Sequence, residues 1–452
     1  MAEQVLTFYP QKPTSRLEQL GLWLRRHRGA IVAVQWLIVV FYSVLVVIPA
    51  FLPLPPDQAH IWDNLRLFAQ FCFWGLWWPG VMIATVTLGR VWCGLFCPEG
   101  FISERVSRYG RGKALPRWLK WPGWPFVAFV CTTVYGQLVS VYEYPQAALL
   151  VLGGSTVAAV VIGLLYGKEK RIWCRYLCPA SGVFAVLAKI APMHYKVDRA
   201  AWDRYQGEFE PVNCAPLVDV RRMTSAGECH ACGRCAGQRD AVSLSWRSPF
   251  GEVLDPHNEA KTADAITLLF GVLGVATAAF QWTVSPWLLH IKIALAEWLV
   301  EHDHFTLLSD DVPWWLLTHY PEANDLFTWH DGALIGSLLL IGTASASRLL
   351  RTPQLSWQRF SVALAPMAAA SVILGLTMLT VTHLKAEHFW LGWLPYFRIT
   401  LLALGWLGSV SLAWLLVARA AAGRGRKLMA GVVTLWPPSL ICSIWILVFF
   451  VW

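Results

Sequence analysis

Charge is scarce in this sequence: 14% of its 452 residues are Asp, Glu, Lys or Arg, against 56% hydrophobic residues. A soluble domain usually carries about a quarter charged residues, so an ordinary soluble fold is excluded and the bilayer becomes the expected solvent. Lys and Arg are wholly absent between Lys292 and Arg348. No G-x-G-x-x-G or P-loop fingerprint stands in a strand-then-helix setting, so a nicotinamide or flavin would have to arrive with a partner. The first apolar run, Ala30 to Phe51, is too long for a signal peptide and lacks an A-x-A-like cleavage site, so it reads as an uncleaved first span.

Long apolar runs are what the chain has in quantity. A hydrocarbon core of about 30 Å needs roughly 20 apolar residues per helix. Nine runs qualify, at about 30–51, 67–89, 124–142, 147–167, 263–285, 327–347, 361–381, 397–418 and 430–452, with eight or ten spans also open. The sixth is the weakest, because Asp331 and Gly332 interrupt it. The expected fold is an all-α polytopic membrane protein of about nine transmembrane helices with a small irregular cytoplasmic insert.

Orientation follows from the bias of Lys and Arg toward cytoplasmic loops. Arg90, Arg105, Arg108, Arg111, Lys113, Arg117 and Lys120 follow the second run, and Lys168, Lys170, Arg171 and Arg175 follow the fourth. Arg348, Arg351 and Arg359 follow the sixth, and Arg419, Arg424, Arg426 and Lys427 the eighth. The odd-numbered connections are neutral or acidic. The N-terminus is therefore expected in the cytoplasm and, with nine spans, the C-terminus in the periplasm. The net charge of +9 then faces anionic lipid and calls for no nucleic acid.

An internal repeat carries the first cysteines. Arg90-Val-Trp-Cys93-Gly-Leu-Phe-Cys97-Pro98 matches Arg171-Ile-Trp-Cys174-Arg-Tyr-Leu-Cys178-Pro179, with an offset of 81 residues. Each copy closes a pair of apolar runs, so all four thiols should reach the same side. Thiolates are soft ligands that suit iron–sulfur clusters and zinc, and one cluster takes about four. C-x-x-x-C-P is also the spacing of the last two cysteines in the bacterial ferredoxin run, which favours iron and sulfide. Cys72, Cys131 and Cys442, isolated within apolar runs, read as small hydrophobes.

Between about Pro192 and Lys261 hydropathy falls, leaving a cytoplasmic insert of about 70 residues, a size that usually needs a metal or disulfide to offset a thin core. It holds Cys229-His-Ala-Cys232-Gly-Arg-Cys235, three ligands of a ferredoxin run whose fourth position is Arg239. Cys214 is the spare thiol nearby. The expected grouping is one cluster on Cys93, Cys97, Cys174 and Cys178 and a second on Cys214, Cys229, Cys232 and Cys235, with mixed sets left open. A zinc knuckle on Cys229, Cys232, Cys235 and either His230 or Cys214 is the competing reading.

At these residues the chain resembles the membrane-bound polyferredoxin-like 4Fe-4S family that includes the NapH protein of periplasmic nitrate reduction, the NosR protein of nitrous oxide respiration and the cytochrome oxidase accessory protein. The resemblance covers about residues 30 to 240. It implies inner-membrane electron transfer between the quinone pool or a cytoplasmic reductase and a periplasmic or membrane redox partner. Family members usually carry complete ferredoxin runs for two clusters in the soluble part, whereas here the run is truncated at Cys235.

Three regions follow: 1–191 with the two hairpin repeats, the insert at 192–261, and a C-terminal membrane region at 262–452. In the last, His290, His302, His304, His319, His330, His383 and His388 gather toward the expected outer face. Imidazole binds haem, copper or a quinone headgroup, although interfacial His and Trp also simply anchor helices. Direct tunnelling across about 30 Å would be too slow, so a transmembrane relay would need a haem. Trp287 to Val300 reads as an outer interfacial helix, with Trp287, Leu288, Ile291, Leu295 and Trp298 toward lipid. Trp92 and Trp173, each just before a proposed ligand, either shield it from water or pack at the interface.

The leading function is an oxidoreductase-type electron carrier in the cell inner membrane. A copper or iron reductase or maturation factor is the alternative, and a transporter or sensor with a structural zinc insert is a third.

Overall fold

The computed structural model describes residues 15–56, 58–209, 211–281, 285–303, 323–352 and 354–452. Eight of its helices are long and apolar enough to cross a bilayer: Arg28–Phe51, Leu65–Leu88, Pro145–Tyr166, Thr262–Gln281, Thr328–Leu350, Ala365–Ala386, Leu394–Ala418 and Arg424–Val451. Helices dominate because backbone N–H and C=O groups in lipid must be satisfied within the segment. The chain is a multi-pass, all-α membrane protein.

The third expected span is shorter than the sequence led us to expect. Its helix runs only from Trp124 to Leu138, 15 residues, or about 22 Å at 1.5 Å per residue. Ser140 takes a positive φ of 46°, and Pro145 opens the next helix, so the apolar residues Val139, Val141 and Tyr142 belong to a turn. The short helix still connects the two ends of its bundle. Pro125 at its start lines the same cavity as Cys174. Beyond its end, Glu143 O accepts from Gln70 Nε2 at 2.6 Å, beside the start of the second span.

The sixth span is continuous through Asp331 and Gly332. A Cβ on Gly332 would lie 2.6 Å from the Val275 side chain, so glycine here lets two helices touch along their backbones. One buried cluster joins the halves, uniting Val81 and Phe184 with Leu273, Leu339, Met367 and Trp445.

The insert closes on a two-stranded antiparallel sheet, β1 (Met193–Val197) against β2 (Val242–Trp246), with Met193 facing Trp246 and Val197 facing Val242. Met193, Tyr195, Val242 and Leu244 form its small core together with Met223, Ala231 and Ala236. A helix at Arg16–Arg26, unassigned in the sequence reading, packs Leu17 and Leu22 on that core. Arg25 anchors it by donating to Ala236 O at 2.9 Å. The helix Pro286–Glu301 covers the expected interfacial stretch, with Trp287 and Trp298 exposed.

Candidate metal centre

The two copies of the cysteine motif share one local geometry. In each, the second cysteine's N–H donates five residues back, Cys97 to Trp92 O and Cys178 to Trp173 O, both at 2.9 Å. Cys97 (φ −67°, ψ 117°) and Cys178 (φ −60°, ψ 123°) then leave the helical region, and Pro98 and Pro179 each begin a new helix. Proline causes both effects: it disfavours a helical residue before it and suits the first helical position, where its missing N–H costs nothing. Each repeat therefore presents two thiols at a break between helices.

These breaks meet. Cys93, Cys97, Cys174 and Cys178 line one cavity of about 160 Å³, walled by Tyr42, Trp77, Trp92 and Phe184. Burial, and then the neighbouring thiols, push Cys97 and Cys178 well above the ordinary thiol range. Cys174 is raised by burial to about 12 although Arg171 opposes the shift. Burial thus disfavours the thiolates of Cys97, Cys174 and Cys178, and a cationic metal core would favour them, because metal binding takes the deprotonated ligand. Trp173 Nε1 donates to Glu99 Oε2 at 3.2 Å, fixing the ring beside the thiols, and Trp92 stands edge-on to Trp77 at 5.0 Å. Trp92 therefore borders the cavity, whereas Trp173 reaches it only through Glu99, which lines it.

Cys214, Cys229, Cys232 and Cys235 line a second, tighter cavity of about 20 Å³ with Tyr195. Ala231 N donates to Cys229 Sγ at 3.3 Å. Burial and the Cys232 thiol push Cys229 up to about 12. His230 lines this cavity too, but burial and then Arg90, Arg171, Arg175 and Arg234 hold its imidazole far below the ordinary value, so it is neutral at pH 7. Each of the two cavities is thus lined by four cysteines. Among the described residues no three His, Cys, Asp or Glu side chains are grouped so as to hold a single metal ion.

The two sets abut at Gly94. A Cβ there would strike His230 O and lie 2.9 Å from Cys232 N and 3.0 Å from its Cα, so only glycine allows the contact. Gly94 O accepts from Gln35 Nε2 at 3.2 Å and from Arg171 Nη2 at 3.4 Å. Arg171, 2% exposed, also donates to Cys93 O and pairs through Nε with Glu104 Oε2 at 2.8 Å. Arg234 pairs with the other Glu104 oxygen. Burial pushes Glu104 upward, but Arg171 and Arg234 outweigh it and hold the carboxyl below its ordinary range. A buried Arg–Glu–Arg triad therefore braces the junction, and unpairing it would strand a buried charge.

Arg90 and Arg171 were counted in the sequence as loop charges, yet they are 5% and 2% exposed. Arg90 donates to Gly227 O at 2.8 Å and Ser181 Oγ at 2.9 Å. The signal lay in the repeat, since both arginines stand three residues before the first cysteine. Glu99 and Glu104 carried no such mark.

The outer histidines are dispersed. His290 Nδ1 and His302 Nδ1 face carbonyl oxygens of their own helix, Pro286 O and Trp298 O, each at 2.8 Å. His330 lies tilted against Trp329, His383 meets Phe71 edge-on, and His388 takes a positive φ of 58°. His304 and His319 lie outside the described residues. Near His383, His60 Nδ1 instead pairs with Glu387 Oε2 at 3.0 Å.

Comparison with known proteins agrees with the repeat. A 4Fe-4S binding domain matches twice, at residues 71–120 and 149–197. The chain is similar to the Escherichia coli protein named "Putative electron transport protein YccM", 23% identical over 44% of this chain and 64% of that protein. It is also similar to "Uncharacterized protein MJ0750" of Methanocaldococcus jannaschii, 23% identical over 37% of this chain and 76% of that one. This chain thus spans less than two thirds of the length of the first relative. No solved structure gives a significant match. Each matched segment contains one copy of the C-x-x-x-C-P motif, and over these two segments the chain is similar to 4Fe-4S-binding domains.

Proposed function

We propose that this protein is a multi-pass electron carrier of the cell inner membrane holding two 4Fe-4S clusters, one on Cys93, Cys97, Cys174 and Cys178 and one on Cys214, Cys229, Cys232 and Cys235. The observation that carries the reading is the sorting of eight cysteines into two cavities of four thiols each, whose cysteine segments meet where Gly94 packs on Cys232. When bound, such a cluster supplies one-electron transfer at a potential set by its surroundings. The chain's own part is to bring four thiols to each site, to wall the first with Trp77, Trp92 and Phe184 against water, and to hold the sites at a fixed separation through Gly94 and the Arg171–Glu104–Arg234 triad. The basic loops on the cysteine side support a cytoplasmic placement of both sites, with electrons drawn from quinol or a cytoplasmic reductase and passed to a respiratory or metal-containing partner.

Iron and acid-labile sulfide analysis of anaerobically purified protein tests the reading. We expect about eight iron atoms per chain, as two four-iron groups require. Cys174→Ser should lower this to about four while leaving the insert's signal in low-temperature electron paramagnetic resonance. An iron-free wild type, or loss of both signals in the variant, would overturn the proposal.

A further inference from the structure

A third cavity, of about 210 Å³, shares Cys174 with the first cysteine set and is lined by no other thiol. Five cations line it: Arg90, Lys120, Arg175, Lys189 and Lys261. Lys261 is paired with Glu228, and Lys189 with Asp264 and Glu252. Arg90, Lys120 and Arg175 have no acidic partner among the described residues. Three uncompensated positive charges therefore share one wall.

The depth of the cavity adds a second observation. Lys120 and Lys261 are exposed, Arg175 is half-buried, and Arg90 and His230 are 5% and 2% exposed. The fixed donors of Arg90 are spent on Gly227 and Ser181, yet its Nε has no partner, and neither does Nδ1 of His230. Buried polar atoms left unpaired are costly, and native proteins rarely keep them without an occupant to satisfy them. The repeat points the same way. Position 94 of the first copy is the glycine pressed on Cys232, whereas its counterpart 81 residues on is Arg175, facing this cavity.

We propose that this cavity binds a phosphate-class oxyanion, held by the Arg175 fork, the free Nε–H and charge of Arg90, the Lys120 ammonium and the His230 imidazole. Arginine forks match oxyanion geometry, and basic pockets between helix ends on the inner face suit anionic headgroups. Trp121, Pro122 and Pro125 line the mouth where the short third helix begins, which places a lipid phosphodiester within reach. Free phosphate offers the same chemistry. The inference does not depend on whether Cys174 carries iron.

The test uses the full-length holoprotein in neutral detergent, with unfolding followed by tryptophan fluorescence. One arm titrates inorganic phosphate against chloride at matched ionic strength; the other compares nanodiscs of phosphatidylcholine with nanodiscs containing added cardiolipin. Stabilisation in the first arm identifies a free-ion site, in the second a headgroup site, and either supports the proposal. Lys120→Gln and Arg175→Gln should each weaken the apparent affinity about tenfold, the loss of one charge-assisted hydrogen bond. Arg117→Gln, in the same basic loop but outside the cavity, should not. Lys120 is exposed, so its variant should fold even if Arg175→Gln does not. The proposal is overturned if neither phosphate nor cardiolipin stabilises the wild type, or if Lys120→Gln responds as the wild type does.

Discussion

Replacing Gly94 by alanine should part the insert from the membrane domain. The added methyl would strike His230 O and sit 2.9 and 3.0 Å from Cys232 N and Cα, where ordinary carbon contacts lie near 3.5–4.0 Å. Backbone must therefore retreat by more than about 1 Å at His230 O, since neither partner is the flexible end of a side chain. Overpacking of this kind costs about 1–3 kcal/mol. The retreat also disturbs the bonds that Gln35 and Arg171 make to Gly94 O. Gly80→Ala, where an added methyl meets nothing within 4 Å, is the matched control and should melt no lower than the wild type. Thermal melting reports the cost, and hydrogen exchange over residues 229–235 reports the parting. Equal melting and equal protection in Gly94→Ala and Gly80→Ala would refute the close contact.

Arg171→Met should destabilise the protein by about 3–5 kcal/mol, because it leaves Glu104 buried with half its compensation; adding Glu104→Gln should recover part of the loss in chemical denaturation. His194 is held at a pKa of about 4 by burial and by Arg247, below the ordinary value near 6.5. The unfolded chain thus takes up a proton first, so this contribution is complete above about pH 6.5 and is lost as pH falls toward 4. His194→Gln should flatten the fall in melting temperature between pH 7 and pH 4.5; an unchanged slope would exclude the histidine as its source.

The cysteine arrangement was legible because metal-ligand spacing is local and was written twice. Spacing alone pointed to Cys93, Cys97, Cys174 and Cys178 together, and these four line one cavity; Cys214, reached by counting thiols near the truncated run, lines the other with Cys229, Cys232 and Cys235. The third helix was misjudged because a hydropathy window counts Val139, Val141 and Tyr142 without regard to the backbone, which turns at Ser140. Arg90 and Arg171 were misjudged for a related reason. Charge counting treats every loop arginine as solvated, whereas these two fold inward onto carbonyl oxygens and Glu104. The helix at Arg16–Arg26 escaped notice since its packing surface, Leu244 and Ala236, lies more than 200 residues away in the chain.

That distance has a consequence for biosynthesis. Arg25 finds its partner, Ala236, 211 residues later. At about 5–20 residues per second, the ribosome needs roughly 10–40 s to supply it. Through that interval the leading helix exposes Leu17 and Leu22, and three bilayer-length helices and the short Trp124–Leu138 helix are laid down before Cys229 emerges. Closure of the insert against this helix is therefore a late event in the life of each newly made chain, and bulky fusions ahead of Arg16 would interfere with it most.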